Sequence, residues 1–173
     1  MIYITTPITK EKCKKLKAGD LVYISGEIYT ARDAAHKRLY EMIQRNEKLP
    51  FDLKNASIYY VGPTPTPPNK TYGSAGPTTS IRMEAYAPTV YDLGVNVTNG
   101  KGYRTQEVED SIVKNQACYM VAIGGAGALL GKCVKKAEPI AFEDLGAEAI
   151  VKLTVENFPA TVAIDSNGNN LYK

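Results

Sequence analysis

The run Cys-Tyr-Met-Val-Ala-Ile at residues 118–123 carries no charged side chain and keeps no polar face for water. A continuous apolar strand of this kind belongs inside a sheet covered on both faces, the usual situation of a parallel sheet. The cover must come from the rest of the chain, and the flanking pattern is suited to supply it. Further strands are predicted at 1–5, 21–25, 57–61, 95–98 and 134–142, with 27–29 extending the second beyond a break at Gly26. Short helices are predicted between them. Thr9 caps one that runs to about Leu16, and Thr105 caps one over 106–114. Small residues 128–131 form another after the turn Gly-Gly-Ala-Gly at 124–127, and 145–150 reads as a short helix. Segments 161–164 and 170–172 flank Asn167-Gly168, a strong short-range hairpin pattern. Strands alternating with helices and closing in a hairpin predict an α/β fold with a mixed sheet. With 173 residues, no repeat and no long linker, the chain is expected to form one domain over 1–173.

The clearest helix is expected to begin at Thr30, with Thr30 and Asp33 as a variant capping box. Ala35, Leu39, Met42 and Ile43 recur at helical spacing and form its apolar face. Arg32 lies at the start of this helix, where a cation opposes the dipole by a few tenths of a kcal/mol, roughly. Asp33, or a bound anion, would offset that cost, which marks Arg32 as a candidate anion binder. A second stretch invites the same reading. After the prolines at 63, 65, 67 and 68 comes Tyr-Gly-Ser-Ala-Gly-Pro-Thr-Thr-Ser-Ile-Arg-Met at 72–83. A helix from about Thr78, ending before Pro88, would put hydroxyls at its N-terminus and Arg82 one turn on. An ordinary capped helix with a surface arginine fits the same residues.

Several function classes fall away. A net charge of +3 is too small to argue for nucleic acid. The lysines at 10, 12, 14, 15 and 17 have no interleaved aromatics and read as a solvated helix side. The N-terminus lacks the layout of a signal peptide and no apolar run reaches membrane-spanning length, so a cytoplasmic protein is expected. Residues 124–132 fail the phosphate-loop pattern at Ala126 and Cys133, and the dinucleotide fingerprint because Gly131 falls one residue late. Cys13, Cys118 and Cys133 lack the close spacing of a metal or cluster site, so no metal is expected on this chain. His36, the lone histidine, reads with Asp33 as a neighbour of an active site rather than its catalyst.

What remains is Arg32, Thr78, Arg82 and Lys101, the last held between Gly100 and Gly102. Two guanidinium forks and an ammonium suit a dicarboxylate. No group among them could make or break a covalent bond unaided, so the set looks like half of an active site.

These residues lie in segments that resemble a known family. Gly-Glu-Ile-Tyr-Thr-Ala-Arg-Asp-Ala-Ala-His at 26–36, Gly-Pro-Thr-Thr-Ser-Ile-Arg-Met at 76–83 and Asn-Gly-Lys-Gly at 99–102 resemble the beta, or C-terminal, part of the class I fumarate hydratase and L-tartrate dehydratase family. Glu-Ala-Ile at 148–150, Phe-Pro-Ala at 158–160 and the closing Ile-Asp-Ser-Asn-Gly-Asn at 164–169 fit as well. The resemblance implies a swivelling β/β/α fold and an oxygen-sensitive [4Fe–4S] hydro-lyase interconverting fumarate and malate. It implies that the cluster is ligated by a separate alpha subunit, in a hetero-oligomer of two alpha and two beta chains. By the same resemblance Arg32 and Arg82 bind carboxylates, Thr78 is the proposed base for the C3 proton, and Lys101 completes the site. Lys101 and the expected helix N-terminus would then stabilise the Thr78 oxygen. L-tartrate dehydratase, and a non-catalytic dicarboxylate-binding module, remain the alternatives.

Overall fold

The computed structural model describes residues 1–122 and 127–173. Ile123 and most of the predicted glycine turn lie outside the described residues. Five strands run parallel in chain order: β1 (Ile2–Thr5), β2 (Leu21–Thr30), β3 (Ser57–Tyr59), β4 (Val97–Gly100) and β5 (Cys118–Ala122). Two more, β6 (Val134–Ala141) and β7 (Ile150–Ile164), are antiparallel to each other. β7 pairs antiparallel with β2 over Lys152–Thr161 and with β5 over Ala160–Ile164. The pairings therefore run β2–β3–β4–β5–β7 and back to β2, a closed ring with β1 and β6 outside it.

Alternation along the strands sorts side chains into layers. Tyr59, Val97, Cys118 and Met120 join Phe158, Ala160 and Val162 in an inner core between the parallel strands and β7. Ile58 and Tyr60 point the other way, against helix α2 (Asp33–Gln44) and helix α3 (Ala87–Asp92), through Ala35, Leu39 and Val90, with Met83 of the turn before α3 beside them. Tyr119 likewise meets Val108 and Ile112 of helix α4 (Gln106–Lys114). Each such aliphatic or aromatic side chain contributes about 1.5–3 kcal/mol by leaving water. The closed sheet thus encloses one core and carries helices on its outer side, an α/β fold with a mixed sheet as expected. Helix α1 (Lys10–Lys14), capped by Thr9 as predicted, and helix α5 (Gly127–Lys132) complete the set. Among the described residues, no helix is long and apolar enough to cross a membrane.

Several local expectations are corrected. Gly26 does not end a strand: β2 runs through it, with a bulge against β7 at φ +116 and a Cβ position filled by Thr6. Thr30 ends β2 rather than opening a helix, and its hydroxyl bonds to Ala149 O and Val151 N, so no capping box forms. Residues 143–148 are a 3-10 turn, and Ile150 already belongs to β7. The largest omission is β7 itself, of which only 161–164 was legible. Lys152, Glu156, Asn157 and Pro159 interrupt its alternation, yet it borders three strands.

The helix expected from Thr78 is absent. Thr78 and Thr79 lie outside any helix, with Thr79 bridging Lys101, Ser80–Met83 forms a 3-10 turn, and α3 starts at Ala87 with Pro88 in its first turn. Proline was read as a stop, but its missing N–H costs nothing in a first turn.

Candidate active site

Strands β2, β3 and β4 end side by side, and their carboxyl ends deliver the candidate residues. In α/β folds, open or closed, ligands usually bind at the carboxyl ends of the parallel strands. Two residues past β2, Arg32 occupies the N-cap of α2 with no side-chain cap bond of its own. Glu148, brought in from the turn before β7, accepts from Ala34 N at 2.9 Å and lies 3.4 Å from Arg32 Nε. One carboxylate thus closes a helix end and faces the cation that opposes the dipole, which resolves the misplacement of Arg32. The Arg32 side chain also lies against Gly62, where a Cβ would come within 2.8 Å of Nη1. Its Nε is buried without a well-aligned hydrogen bond among the described residues.

Arg82, about half exposed, donates from Nε and Nη2 to Asp33 Oδ2 at 2.9 and 2.6 Å. The pair ties the 3-10 turn to the start of α2, next to Arg32. Asp33 Oδ1 is buried without a partner among the described residues.

Thr78 and Lys101 are joined through their backbones. Thr78 N donates to Tyr60 O at 2.7 Å, and Thr78 O accepts from Lys101 N at 3.3 Å. Ser80 N donates to Lys101 O at 2.9 Å, and Thr79 bridges Lys101 in parallel. The segments 78–80 and 100–102 therefore add a strand-like pair beyond the end of the sheet, not a helix start beside a tight turn. Gly100 permits it: a Cβ there would lie 2.0 Å from Ser80 Oγ and 2.8 Å from Tyr60 Cδ2. Thr78 is nearly buried while Lys101 is exposed. Stabilisation of the Thr78 oxygen by a helix N-terminus is thus removed, and Lys101 is left as the neighbouring cation. At the end of β4, Asn99 is buried and its Oδ1 has no partner among the described residues.

His36 is fully buried. Burial depresses its pKa to about 4, with Arg104 pushing the same way and Asp33 and the Arg32 carbonyl opposing. It is neutral near pH 7. Its Nδ1 lies 3.1 Å from Arg32 O, which only a protonated nitrogen can bond, leaving Nε2 as an acceptor with no partner among the described residues. The ring packs edge-on to Tyr60 at 5.3 Å. His36 thus supports the backbone of Arg32 from inside the fold.

Glu148 and Gly62 carry no site role in the sequence reading, although Glu148 falls in one of the segments that matched the family. Their importance lies in tertiary neighbours 116 and 30 positions away from Arg32 (148 − 32 and 62 − 32). The cysteines do not fit an iron–sulfur cluster. Cys13 and Cys118 are buried in the inner core, where the Cys118 thiol meets Cys13 O at 3.7 Å; Cys133 meets Leu129 O and Asn157 O instead. Among the described residues, no three His, Cys, Asp or Glu side chains gather where they could hold a metal ion.

Comparisons with known proteins identify the family of the chain. The profile described as Fumarase C-terminus matches residues 1–173. A Methanocaldococcus jannaschii protein named "Putative L(+)-tartrate dehydratase subunit beta" is 42% identical, over 100% of this chain and 92% of its own length. Fumarate hydratase 2 of Leishmania major is 38% identical over 96% of this chain but 30% of its own length. The anaerobic class I fumarate hydratase of Escherichia coli is 39% identical over 87% of this chain and 28% of its own. The chain therefore corresponds to almost the whole of the first relative and under a third of the other two.

Proposed function

The chain belongs to the fumarase C-terminus family, and from that membership we propose that it is the beta subunit of a two-subunit hydro-lyase. The first reading is reversible hydration of fumarate to L-malate in a cytoplasmic hetero-oligomer. The observation that carries the proposal is the edge where Arg32, Thr78, Arg82 and Lys101 gather without any group able to break a C–O bond. Arg32 and Arg82 bind the carboxylates of the substrate, oriented by Glu148 and Asp33. The Lys101 ammonium adds a mobile point charge, and Thr78 faces the carbon that loses its proton. A threonine hydroxyl is a weak base, so it needs a neighbouring cation to hold the charge it acquires. Lys101 supplies that cation.

In this reading the [4Fe–4S] cluster belongs to an alpha subunit, where it supplies Lewis-acid chemistry at the substrate hydroxyl. The cysteines of this chain are no part of it. A second reading, L-tartrate dehydratase, is favoured by the near full-length match to a subunit carrying that name. Both substrates are four-carbon dicarboxylates and need the same pair of guanidinium groups.

The test is anaerobic co-production with an alpha-type chain, followed by assays on fumarate, L-malate and tartrate. Activity is expected only from the complex. Turnover of tartrate alone would select the second reading, and activity from this chain without iron would overturn both. Thr78→Ala is expected to lower kcat by about 10²–10⁴-fold at unchanged iron content. Near-normal turnover in that variant would remove Thr78 as the base.

A further inference from the structure

We propose that Arg104 is a positioning residue of this site, holding the Thr78 and Lys101 segments in register from behind through Tyr60 and Tyr119. The proposal rests on the hydro-lyase reading. Arg104 lies three residues beyond Lys101, yet its side chain is fully buried, whereas Lys101 is exposed. Its guanidinium donates to Glu84 Oε1 from Nε at 2.9 Å, to Thr98 Oγ1 from Nη1 at 3.1 Å and to Tyr60 OH from Nη2 at 3.2 Å. The same group lies over two rings, 4.7 Å from the centre of Tyr119 and 5.3 Å from that of Tyr60.

Each tyrosine leads to one part of the candidate site. The backbone of Tyr60 accepts from Thr78 N and donates to Asn99 O. The Tyr119 hydroxyl lies 2.7 Å from Gly102 O and 2.7 Å from Ser80 Oγ. A phenol has one proton, and Gly102 O can only accept. Tyr119 therefore donates to Gly102, and Ser80 donates to Tyr119. That relay joins the residue after Lys101 to the second residue after Thr78. Arg104 is the group that touches both tyrosines. Glu84, its ion-pair partner, also accepts from Thr105 N and Oγ1 and so closes the start of α4.

Stability alone is a poor account of this arrangement. A buried ion pair loses in desolvation much of what it gains in attraction, and apolar replacements of similar volume are often as stable. A planar fork satisfied by three acceptors and stacked on two rings fixes geometry instead, and lysine cannot reproduce it.

The experiment compares wild-type complex with Arg104→Lys, with the double variant Arg104→Met/Glu84→Gln that strands no charge, and with Tyr119→Phe. The last keeps the ring and removes only the relay, so it serves even if the first two fail to fold. Kinetics are followed on the substrate that the wild-type complex turns over, unlabelled and deuterated at the carbon that loses its proton. Folded variants are expected to lose about 10–100-fold in kcat with little change in KM, the scale of a small misplacement. The deuterium isotope effect on kcat/KM should rise, because proton transfer becomes slower relative to the other steps. A merely structural role would reduce the active fraction and leave that ratio unmoved. Wild-type kcat in these variants, or a lower kcat with an isotope effect no larger than wild type, overturns the proposal. An inactive wild-type complex would instead overturn the hydro-lyase reading itself.

Discussion

Arg82 gives two of its donors to one oxygen of Asp33, and both side chains are more than a third exposed. At that exposure the pair adds at most about 1 kcal/mol to stability. Its use is directional: the Nε–Nη2 edge is held, which fixes where the Nη1 end of the guanidinium points. Arg82→Lys keeps the charge and loses the planar fork. KM is expected to rise by about 10-fold or more with a small change in unfolding free energy, since a hydrogen bond to a charged group contributes about 1.5–3 kcal/mol. Steady-state kinetics beside a urea melt would check both, and an unchanged KM would take Arg82 out of the site. Arg32, Thr78, Arg82 and Lys101 could all be singled out from residue type and motif. Glu148 could not, because a glutamate in a turn has no local property that says which guanidinium it will meet.

At the scale of elements, the candidate site is made by strands that overrun the sheet. β4 is followed by Lys101, and the paired segment 78–80 replaces the helix that the sequence pattern suggested. Local propensity favoured a cap, since Thr-Thr-Ser after proline is a common helix start. The backbone donors of Thr78 and Ser80 found carbonyl partners in Tyr60 and Lys101 instead, and such satisfied bonds outweigh a weak propensity. Gly100 is the position on which this pairing depends. Gly100→Ala would push a methyl group into Ser80 Oγ, Tyr60 and Thr78 O. A loss of about 1–3 kcal/mol in chemical denaturation is expected, as for other overpacked sites. Activity should fall further than the folded fraction does, because Thr78 and Lys101 shift against each other. A Gly100→Ala protein of native stability and turnover would contradict the tight pairing.

For the whole molecule, β7 closes the ring, and helix α2 covers its outer side, burying His36 against Tyr60. His36 makes that helix–sheet layer sensitive to pH. Its pKa is about 4 in the fold against 6.5 for an ordinary histidine. Between these values the unfolded chain binds a proton that the folded chain refuses, so stability rises with pH across the window and falls as pH drops from 6.5 towards 4. The cost is about 3 kcal/mol at the acid end, with no contribution from this group above pH 7. His36→Gln should flatten that part of the stability curve measured by urea titration between pH 4 and 7, and an unchanged slope would contradict neutral burial. The amino-acid sequence by itself determined the α/β class, the parallel core strands, helix α4 to the residue and the four candidate side chains, because apolar periodicity and side-chain chemistry are local properties. Only the tertiary structure decided that Thr78 pairs with Lys101 through its backbone instead of starting a helix, that β7 closes the ring, and that Glu148 and Gly62 lie against Arg32 while Arg104 packs on Tyr60 and Tyr119. Those outcomes depend on which distant backbone groups and charges satisfy one another when water is excluded, a condition that no segment can meet alone.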